Sequence, residues 1–457
     1  MSLIKSVSGI RGTIGGLPGD NLTPPDIISF VSAYGTWLYK NHERPKVVIG
    51  RDGRVTGKMI KNLVSNTLLM MGINVIDVDY STTPTVEMCV ISSKAQGGII
   101  ITASHNPAHW NALKFLNERG EFISQEAGEE IKQQAEAGSM QTNYASIEKL
   151  GKRSVCKDAI EKHIQAILSH PLIHPETISA AGIHAVVDCI NSTGNISIPP
   201  LLEALGVTYK LINDSNYGHF AHNPEPLPEH LTELCETVVS ENAHIGISVD
   251  PDVDRLALVS ENGIFFGEEY TLVCVADYVL QHRKGPVVTN LSSSRALKDL
   301  AESHGSECHF APVGEVHVVN EMKTRNAVLG GEGNGGVIDP HLHYGRDALI
   351  GIAFVLMHMA TSGKSLSQLR QTYPEYMMVK DKITFDPSQS AQVLVDKVAE
   401  HYKEQSLDQR DGLKIDFPDG WVQLRKSNTE PILRVYSEAR SHERARQLVD
   451  DLKALIS

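Results

Sequence analysis

Three aspartates at alternate positions are the most distinctive chemical feature of this sequence. Asp250, Asp252 and Asp254 stand in the segment DPDVDR, directly after an apolar run that is typical of a buried strand. Carboxylates at this spacing can converge on one hard cation and leave room for a phosphate oxygen, which suits Mg²⁺. An EF-hand is excluded because Arg255 occupies the position of the required glycine and the flanking segments resemble strands. The alternative is a solvated acidic turn.

A serine follows a second buried strand, in the segment 102–107 with the sequence TASHNP. In open α/β sheets ligands gather beyond the carboxyl ends of strands, and the asparagine-proline pair favours a turn there. The nucleophile elbow of hydrolases is excluded, because it needs small glycines where Thr102 and Asn106 stand. Ser104 is therefore a nucleophile or phosphate carrier of another kind, or it caps the next helix.

A glycine-rich segment, 331–336, has the sequence GEGNGG. Its spacing matches a dinucleotide-binding fingerprint, but that fingerprint must open a helix and no helical pattern follows here. Glu332 would also place a carboxylate where a pyrophosphate should lie. The segment instead favours a flexible loop that offers Glu332 and Asn334 to the hydroxyl groups of a sugar, or a plain tight turn.

A cationic segment near the end of the chain, 425–434, gathers three cations, two hydroxyls and one amide. Guanidinium groups and the backbone N–H groups of a turn fit a phosphate dianion. The alternative is a charged hairpin. The candidate phosphate-binding residues are Arg425, Ser427, Asn428, Thr429 and Arg434.

The elements that must position these residues follow from the hydrophobic pattern. Strand-like apolar runs alternate with helical patterns over most of the chain, which predicts three similar α/β domains with mixed or parallel sheets. We place them at 1–150, 151–257 and 258–372. From 373 to 457, strands follow one another without intervening helices, which predicts a smaller C-terminal α+β domain. The predicted strands of the three α/β domains are 46–50, 73–78, 98–102, 183–189, 208–212, 245–249, 286–290, 307–312 and 326–329.

Composition excludes several classes of protein. The 457 residues carry a net charge of −13, which repels nucleic acid and anionic lipid. The six cysteines show no CxxC spacing and favour a reduced, cytoplasmic protein. Neither a signal peptide nor an apolar run of membrane-spanning length is evident. An anionic substrate would therefore need the local cations described above.

Together these segments resemble the α-D-phosphohexomutase superfamily over essentially the whole chain. That family has three related α/β domains and a smaller α+β domain. Two departures stand out: Asn334 and Gly336 replace a common serine and histidine, and Ala112 replaces a usual glycine while leaving Lys114 in place. The segments that carry the resemblance, in the family's order, are 9–12, 102–107, 111–114, 250–255, 331–336 and 425–434.

The resemblance implies an isomerase that interconverts hexose 6-phosphate and hexose 1-phosphate through a phosphoserine and a 1,6-bisphosphate. The glycine-asparagine loop and the opening segment 3–12 resemble a branch that contains archaeal and Bacteroidetes phosphoglucosamine mutases. We therefore expect glucosamine 6-phosphate as the substrate, with phosphomannomutase/phosphoglucomutase activity as the alternative. A metal-dependent sugar phosphatase and a non-catalytic sugar-phosphate sensor are further alternatives.

The resemblance also implies roles for individual residues. Ser104 would carry the phosphate and share one Mg²⁺ per chain with the three aspartates, while Arg11 and Arg255 would stabilise charge. His105 and Lys114 are the candidates for proton transfer. A hexose 1,6-bisphosphate would prime the serine. The expected partner is a small phosphosugar, with no nucleic acid or membrane, and the expected state is a monomer or homodimer.

Overall fold

The structure is a computed structural model that describes residues 2–6, 9–137, 143–215, 217–385, 390–426 and 432–456. The chain divides into two units, Met1–Thr271 with Asn334–Leu369, and Leu272–Gly333 with Arg370–Ser457. Within the described ranges, no helix has both the length and the apolar character needed to cross a bilayer.

The first unit begins with a seven-stranded sheet. Its strands are β1 (Ile4–Ser6), β2 (Gly9–Thr13), β3 (Lys46–Arg51), β4 (Asn74–Tyr80), β5 (Gly97–Ile101), β6 (Trp110–Leu116) and β7 (Arg153–Val155). The accompanying helices are α1 (Pro24–Tyr39), α2 (Gly57–Met70), α3 (Thr83–Ser92) and α4 (Gln125–Glu136). The spatial order is β1-β2-β6-β5-β3-β4-β7. β5, β3, β4 and β7 run parallel, and β1, β2 and β6 pair antiparallel.

The central strands of this sheet are apolar on both faces because both faces are covered. Val47 and Ile49 of β3 belong to one buried cluster, whereas Val48 belongs to another. Successive side chains of a strand point to opposite faces, so a strand buried on both sides appears as a continuous apolar run. This burial fixes β5 in the sheet centre and delivers the serine segment to its carboxyl edge.

A four-stranded sheet follows in the first unit. Its strands are β8 (His184–Asp188), β9 (Thr208–Ile212), β10 (Ile245–Val249) and β11 (Leu256–Ser260), in the order β11-β10-β8-β9. Its helices are α5 (Ala159–Leu168), α6 (Pro175–Ala180), α7 (Gly194–Ala204) and α8 (Thr232–Ser240). β8, β9 and β10 are parallel, and β11 returns antiparallel to β10. The aspartate segment is the connection between β10 and β11.

The next stretch supplies elements to both units. They are α9 (Glu268–His282), β12 (Val287–Asn290), α10 (Ala296–Ser303), β13 (Cys308–Ala311), α11 (Glu315–Arg325), β14 (Leu329–Glu332), β15 (Gly336–Ile338), α12 (Ala348–Ser362) and α13 (Leu366–Arg370). In the second unit β12 runs parallel to both β13 and β14. The strand predicted at 326–329 begins later, because Asn326 adopts a left-handed conformation, with φ 51°, where α11 ends.

The second unit ends in an antiparallel sheet. Its elements are β16 (Met377–Thr384), α14 (Ala391–His401), β17 (Ser406–Asp408), β18 (Leu413–Phe417), β19 (Gly420–Lys426), β20 (Ile432–Ala439) and α15 (His442–Ile456), with strand order β16-β20-β19-β18-β17. All four pairings are antiparallel. The predicted fold class, α/β sheets followed by a smaller α+β portion, is confirmed. The four domain limits stay a prediction.

Candidate active site

Ser104 lies just beyond β5, in a backbone conformation that residues other than glycine rarely adopt. Its φ is 48° and its side chain is buried. Its N–H donates to Thr102 Oγ1 over 2.9 Å, and its hydroxyl donates to Asp250 Oδ2 over 2.5 Å. Turns strained in this way persist only where surrounding contacts hold them, and they cluster at functional sites. The structure thus brings the predicted serine and the first predicted aspartate into contact.

A buried arginine holds this turn. The side chain of Arg54 is fully buried, and Nε pairs with Asp52 Oδ2 at 3.0 Å. The same carboxylate oxygen accepts a hydrogen bond of 2.7 Å from Thr102 Oγ1. The guanidinium also donates to four carbonyl oxygens, those of Ser104 (2.6 Å), Asn106 (2.6 Å), Pro107 (2.7 Å) and Trp110 (2.9 Å). We call this set, Arg54 with Asp52 and Thr102, the arginine clamp.

The aspartate loop, residues 250–255, carries a second strained position. Val253 has a φ of 61°, which a β-branched residue adopts only under constraint. Asp250 Oδ1 accepts the N–H groups of Asp254 at 3.1 Å and of Arg255 at 3.2 Å. The Arg255 guanidinium lies 3.8 Å from the Glu225 carboxylate. These bonds tighten the loop, and one ligating oxygen from each aspartate lies within 4.8 Å of the others.

Three groups from distant parts of the chain fix the other two aspartates. Thr83 Oγ1 donates to Asp252 Oδ2 over 2.6 Å, and Lys114 Nζ donates to the same oxygen over 2.9 Å. Arg346 Nη2 donates to Asp254 Oδ2 over 2.7 Å. The aspartate loop is therefore held by α3, by β6 and by the segment before α12.

The cluster fits a hard divalent cation. Burial, followed by the charges of Asp254 and Asp252, raises the pKa of Asp250 well above its ordinary value. Among the described residues, nothing donates a hydrogen bond to the buried Oδ1 atoms of Asp252 and Asp254. Buried polar atoms normally have partners, and an all-oxygen set of this size suits Mg²⁺. The aspartates thus form an acidic metal-binding triad.

The two candidates for proton transfer lie in opposite electrostatic environments. His105 Nδ1 is 3.4 Å from the Ser104 hydroxyl, and burial together with Arg255 lowers the pKa of this histidine to about 2. Burial lowers the pKa of Lys114, but the negative charges of Asp252 and Asp254 outweigh burial, so the pKa of Lys114 lies above its ordinary value. The histidine ring is therefore neutral and the lysine charged near neutral pH.

Strand pairing explains how Arg11 and Lys114 reach the site. Gly9 pairs with Lys114 and Arg11 with Ala112, so both charged side chains lie on one face of the sheet. A Cβ on Gly9 would lie 1.8 Å from a backbone oxygen of β6, so this close approach requires glycine. Arg11 Nη1 lies 3.5 Å from Asn106 Oδ1 in the serine turn. Ala112 keeps regular pairing although it replaces the family's usual glycine.

The glycine-rich segment is more ordered than the sequence suggests. Glu332 ends β14 and is buried, with its Oε1 accepting from Asn290 Nδ2 at 2.9 Å and from the Gly314 N–H at 3.1 Å. Asn334, in the first unit, accepts the Gly336 N–H at 3.3 Å. The prediction of a flexible loop is therefore wrong for residues 331 and 332, which belong to a strand because β14 starts and ends late.

The cationic segment places two arginines side by side in the second unit. Arg425 on β19 and Arg434 on β20 are directly opposite in the antiparallel ladder. Like charges at such positions repel, and the Asp411 carboxylate, 2.9 Å from Arg425 Nε, offsets one of them. The pair can bind an anion. Three other predicted phosphate-binding residues lie outside the described residues: Ser427, Asn428 and Thr429.

Three residues of the site were not predicted from the sequence: Arg54, Thr83 and Arg346. The tripeptide Gly-Arg-Asp at 345–347 contains Arg346, and the same tripeptide at 50–52 contains Asp52 and lies two residues before Arg54. The copy at 50–52 ends the buried strand β3 and the copy at 345–347 precedes α12, at the places where ligand-binding loops occur. Thr83 has no comparable signal, because it also reads as an ordinary residue of a helix N-terminus.

Four family models cover the chain. They are described as phosphoglucomutase/phosphomannomutase alpha/beta/alpha domains I, II and III and the C-terminal domain, and they match residues 3–142, 161–263, 267–376 and 379–455. Their order along the chain is that of the serine turn, the aspartate loop, the glycine-rich segment and the cationic segment.

Similar proteins extend this finding. A phosphoglucomutase/phosphomannomutase from Thermococcus kodakarensis is 36% identical, over 96% of this chain and 96% of its own. A probable phosphoglucosamine mutase from Methanopyrus kandleri is 32% identical, over 98% and 96%. A solved phosphoglucomutase/phosphomannomutase family protein from Burkholderia thailandensis shares the fold, with a TM-score of 0.85 at 24% identity over 99% and 96%. The chain therefore belongs to the phosphoglucomutase/phosphomannomutase family of the α-D-phosphohexomutase superfamily and is an isomerase of hexose phosphates.

Proposed function

We propose that this phosphohexomutase interconverts glucosamine 6-phosphate and glucosamine 1-phosphate through a phosphorylated Ser104. The observation that carries the phosphoserine is the 2.5 Å contact between the Ser104 hydroxyl and Asp250, inside a buried acidic triad. The amino sugar is supported by the Asn334 form of the glycine-rich segment and by the relative named phosphoglucosamine mutase.

In the first half of the reaction, the phosphorus–oxygen bond to Ser104 breaks as a bond to the sugar oxygen forms. The sugar hydroxyl loses its proton, and the serine oxygen gains one, so the products are a hexose 1,6-bisphosphate and free serine. Either His105 or Lys114 carries this proton, because both lie beside the serine and aspartate groups. In the second half the bisphosphate turns round and returns its other phosphate to Ser104.

Charge control is the main requirement of phosphoryl transfer, and several side chains meet it. Arg11 contacts the serine turn, and Arg255 closes the aspartate loop. One Mg²⁺ per chain, held by the three aspartates and a phosphoserine oxygen, would neutralise charge on the phosphoryl group. Lys114, which pairs with Asp252, limits the net negative charge of the loop.

The remaining residues hold the substrate in this proposal. Arg425 and Arg434 bind the phosphate that is not transferred, together with the three polar residues that follow β19 in the sequence. Opposed guanidinium groups are suited to this because an anion relieves their repulsion. Glu332 and Asn334 bind hydroxyl groups of the sugar ring. A hexose 1,6-bisphosphate acts as the activator that phosphorylates Ser104.

We also propose that the protein acts in the cytoplasm, as a monomer or homodimer, without nucleic acid or membrane partners. Six free cysteines favour a reducing compartment. The net charge of −13 disfavours polyanionic surfaces. A small phosphosugar is the partner that the local cations suit.

Neutral hexose phosphates are the second candidate substrates, because the Thermococcus kodakarensis relative is named a phosphoglucomutase/phosphomannomutase. The test is turnover of glucosamine 6-phosphate, mannose 6-phosphate and glucose 6-phosphate side by side, with Mg²⁺ and a trace of hexose 1,6-bisphosphate. A clear preference for the amino sugar is expected. Equal or better use of the neutral sugars would overturn the substrate and leave the reaction type intact.

The phosphoserine has its own test. Intact-mass analysis of protein incubated with hexose 1,6-bisphosphate should show a gain of about 80 Da, located on the Ser104 peptide. Ser104→Ala should show neither this gain nor mutase turnover, whereas a metal-dependent phosphatase would still release inorganic phosphate. Near-wild-type mutase activity in Ser104→Ala would refute the phosphoserine mechanism.

A further inference from the structure

A second buried cluster of metal-ligating side chains lies in the first unit and shares no residue with the aspartate loop. His163 comes from α5, and His343 and Asp347 come from the segment before α12. Their ligating atoms lie within 4.8 Å of one another. The exposed fractions are 1% for His163, 4% for His343 and 0% for Asp347. Ionisable groups so deeply buried need a specific partner.

The two rings present the same nitrogen to one carboxylate oxygen. His163 Nε2 lies 2.9 Å from Asp347 Oδ2, and His343 Nε2 lies 3.3 Å from it. The other oxygen of Asp347, Oδ1, accepts the Leu349 N–H at 2.8 Å and caps α12. Oδ2 is therefore left to the cluster, and two imidazole nitrogens meet one carboxylate oxygen at this point.

The outward-facing ring atoms contact polar groups of α3. His163 Nδ1 lies 3.0 Å from Thr85 Oγ1, and His343 Nδ1 lies 3.3 Å from Glu87 Oε2. A histidine that binds a metal through one nitrogen is normally oriented by a hydrogen bond from the other, often to a carboxylate. The Glu87–His343–Asp347 arrangement has this form, in which a carboxylate orients the ligating ring.

The charges in the cluster also favour a cation. Asp347 and Glu87 are two buried carboxylates with two imidazole rings between them. One divalent ion balances both carboxylates while the rings stay neutral.

We propose that His163, His343 and Asp347 bind one divalent transition-metal ion of the Zn²⁺ class, oriented by Glu87 and Thr85. Imidazole nitrogens with one carboxylate suit Zn²⁺ better than Mg²⁺, which prefers oxygen ligands. The ion ties α3 to α5 and to the segment before α12. Its role is structural, because α3 also carries the threonine that fixes the aspartate loop.

The test uses Co²⁺ as the probe, with the full chain stripped by a chelator and excess Mg²⁺ present to fill the aspartate loop. Four-coordinate Co²⁺ with nitrogen ligands absorbs visible light far more strongly than six-coordinate Co²⁺ with oxygen ligands. We expect one equivalent of the strongly absorbing form per chain, displaced by Zn²⁺. The control Asp252→Asn should keep this signal, and His343→Gln should lose it.

A graded variant separates ligation from folding. Glu87→Gln keeps the shape of the side chain and should weaken Co²⁺ binding by about 10–100-fold, the usual cost of losing an orienting group. The proposal is overturned if wild-type protein shows no strongly absorbing form, in which case the cluster is an ion-pair network only. It is also overturned if the signal disappears in Asp252→Asn and persists in His343→Gln. If His343→Gln does not fold, weaker Co²⁺ binding by Glu87→Gln locates the ion at this cluster, and unchanged binding by that variant overturns the proposal.

Discussion

The arginine clamp gives the sharpest prediction about catalysis. The Arg54 side chain makes five hydrogen bonds, one to Asp52 and four to backbone carbonyls between residues 104 and 110. In Arg54→Lys the charge remains, but a lysine ammonium has three donors on one atom. At least two of the five bonds are therefore lost, and the planar fork that spans the turn is lost with them.

The magnitude follows from the bonds. A hydrogen bond to a charged group contributes about 1.5–3 kcal/mol, so losing two weakens the clamp by about 3 kcal/mol or more. The strained φ at Ser104 stores roughly a further 1–3 kcal/mol that favours relaxation of the turn. If relaxation moves Ser104 away from Asp250, about 3 kcal/mol corresponds to a fall in kcat of roughly 100-fold. Arg54 is a positioning residue, so KM for the sugar phosphate should change little.

The assay measures kcat and KM for the preferred sugar phosphate, together with thermal unfolding. Arg51→Lys is the matched control, because Arg51 is the neighbouring arginine and its side chain bonds the half-exposed Asp79 at 3.0 Å and the Asp52 carbonyl at 3.1 Å, rather than the carbonyls that Arg54 holds. It should keep kcat within about threefold of wild type, as expected for an exposed pair worth under about 1 kcal/mol. A folded Arg54→Lys enzyme with wild-type kcat would refute the reasoning, and so would an equal loss in both variants.

Three further predictions concern the metal loop, one glycine and one buried lysine. Asp252→Asn should raise the Mg²⁺ concentration needed for half-maximal turnover at least about tenfold, because it removes a ligand charge worth about 1.4 kcal/mol or more. An unchanged Mg²⁺ dependence would contradict metal binding by the three aspartates. Gly335→Ala should lower the melting temperature more than the control Gly363→Ala. Both glycines have a positive φ, but only at 335 would a Cβ meet a backbone atom, Leu256 O at 2.2 Å. Equal shifts in melting temperature would show that the loop relaxes freely. Burial lowers the pKa of Lys414 from 10.5 to about 8, so the native state loses this proton first and stability should rise by about 3 kcal/mol between about pH 8 and 10.5. Urea unfolding at several pH values should show that rise in wild type and not in Lys414→Met, and the same pH dependence in both would place the lysine pKa near its ordinary value.

Local sequence determined the elements and the chemistry at their ends. The run 245–249 is wholly buried in β10, and the aspartates follow it directly, as predicted. The same holds for β5 and Ser104. Strand-like apolar runs and alternating carboxylates are local patterns, so each can be recognised without knowing which distant residues it contacts in the fold. This is why the metal-binding triad and the fold class could be predicted from residue types and spacing.

Local sequence misplaced one strand and the character of one loop. The strand was predicted at 326–329 from the apolar residues 327–329, but the left-handed Asn326 ends α11 and the strand forms at Leu329–Glu332. Glu332 was predicted in a flexible loop, whereas Asn290 and the Gly314 N–H bind its carboxylate in the second unit. Both errors have one cause: backbone conformation and hydrogen-bond partners decide where an element starts, and neither is visible in hydrophobicity.

Tertiary structure alone decided what surrounds the reactive groups. Asp252 is bound by Thr83 and Lys114, which lie 169 and 138 residues earlier, and Asp254 is bound by Arg346, 92 residues later. No periodicity connects residues so far apart, because their meeting depends on which strand ends the sheets bring together. The sequence therefore determined which groups could do chemistry and where each element carries them. Only the folded chain determined which cations, hydroxyls and carbonyls hold those groups in place, because such contacts form across elements and leave no local trace.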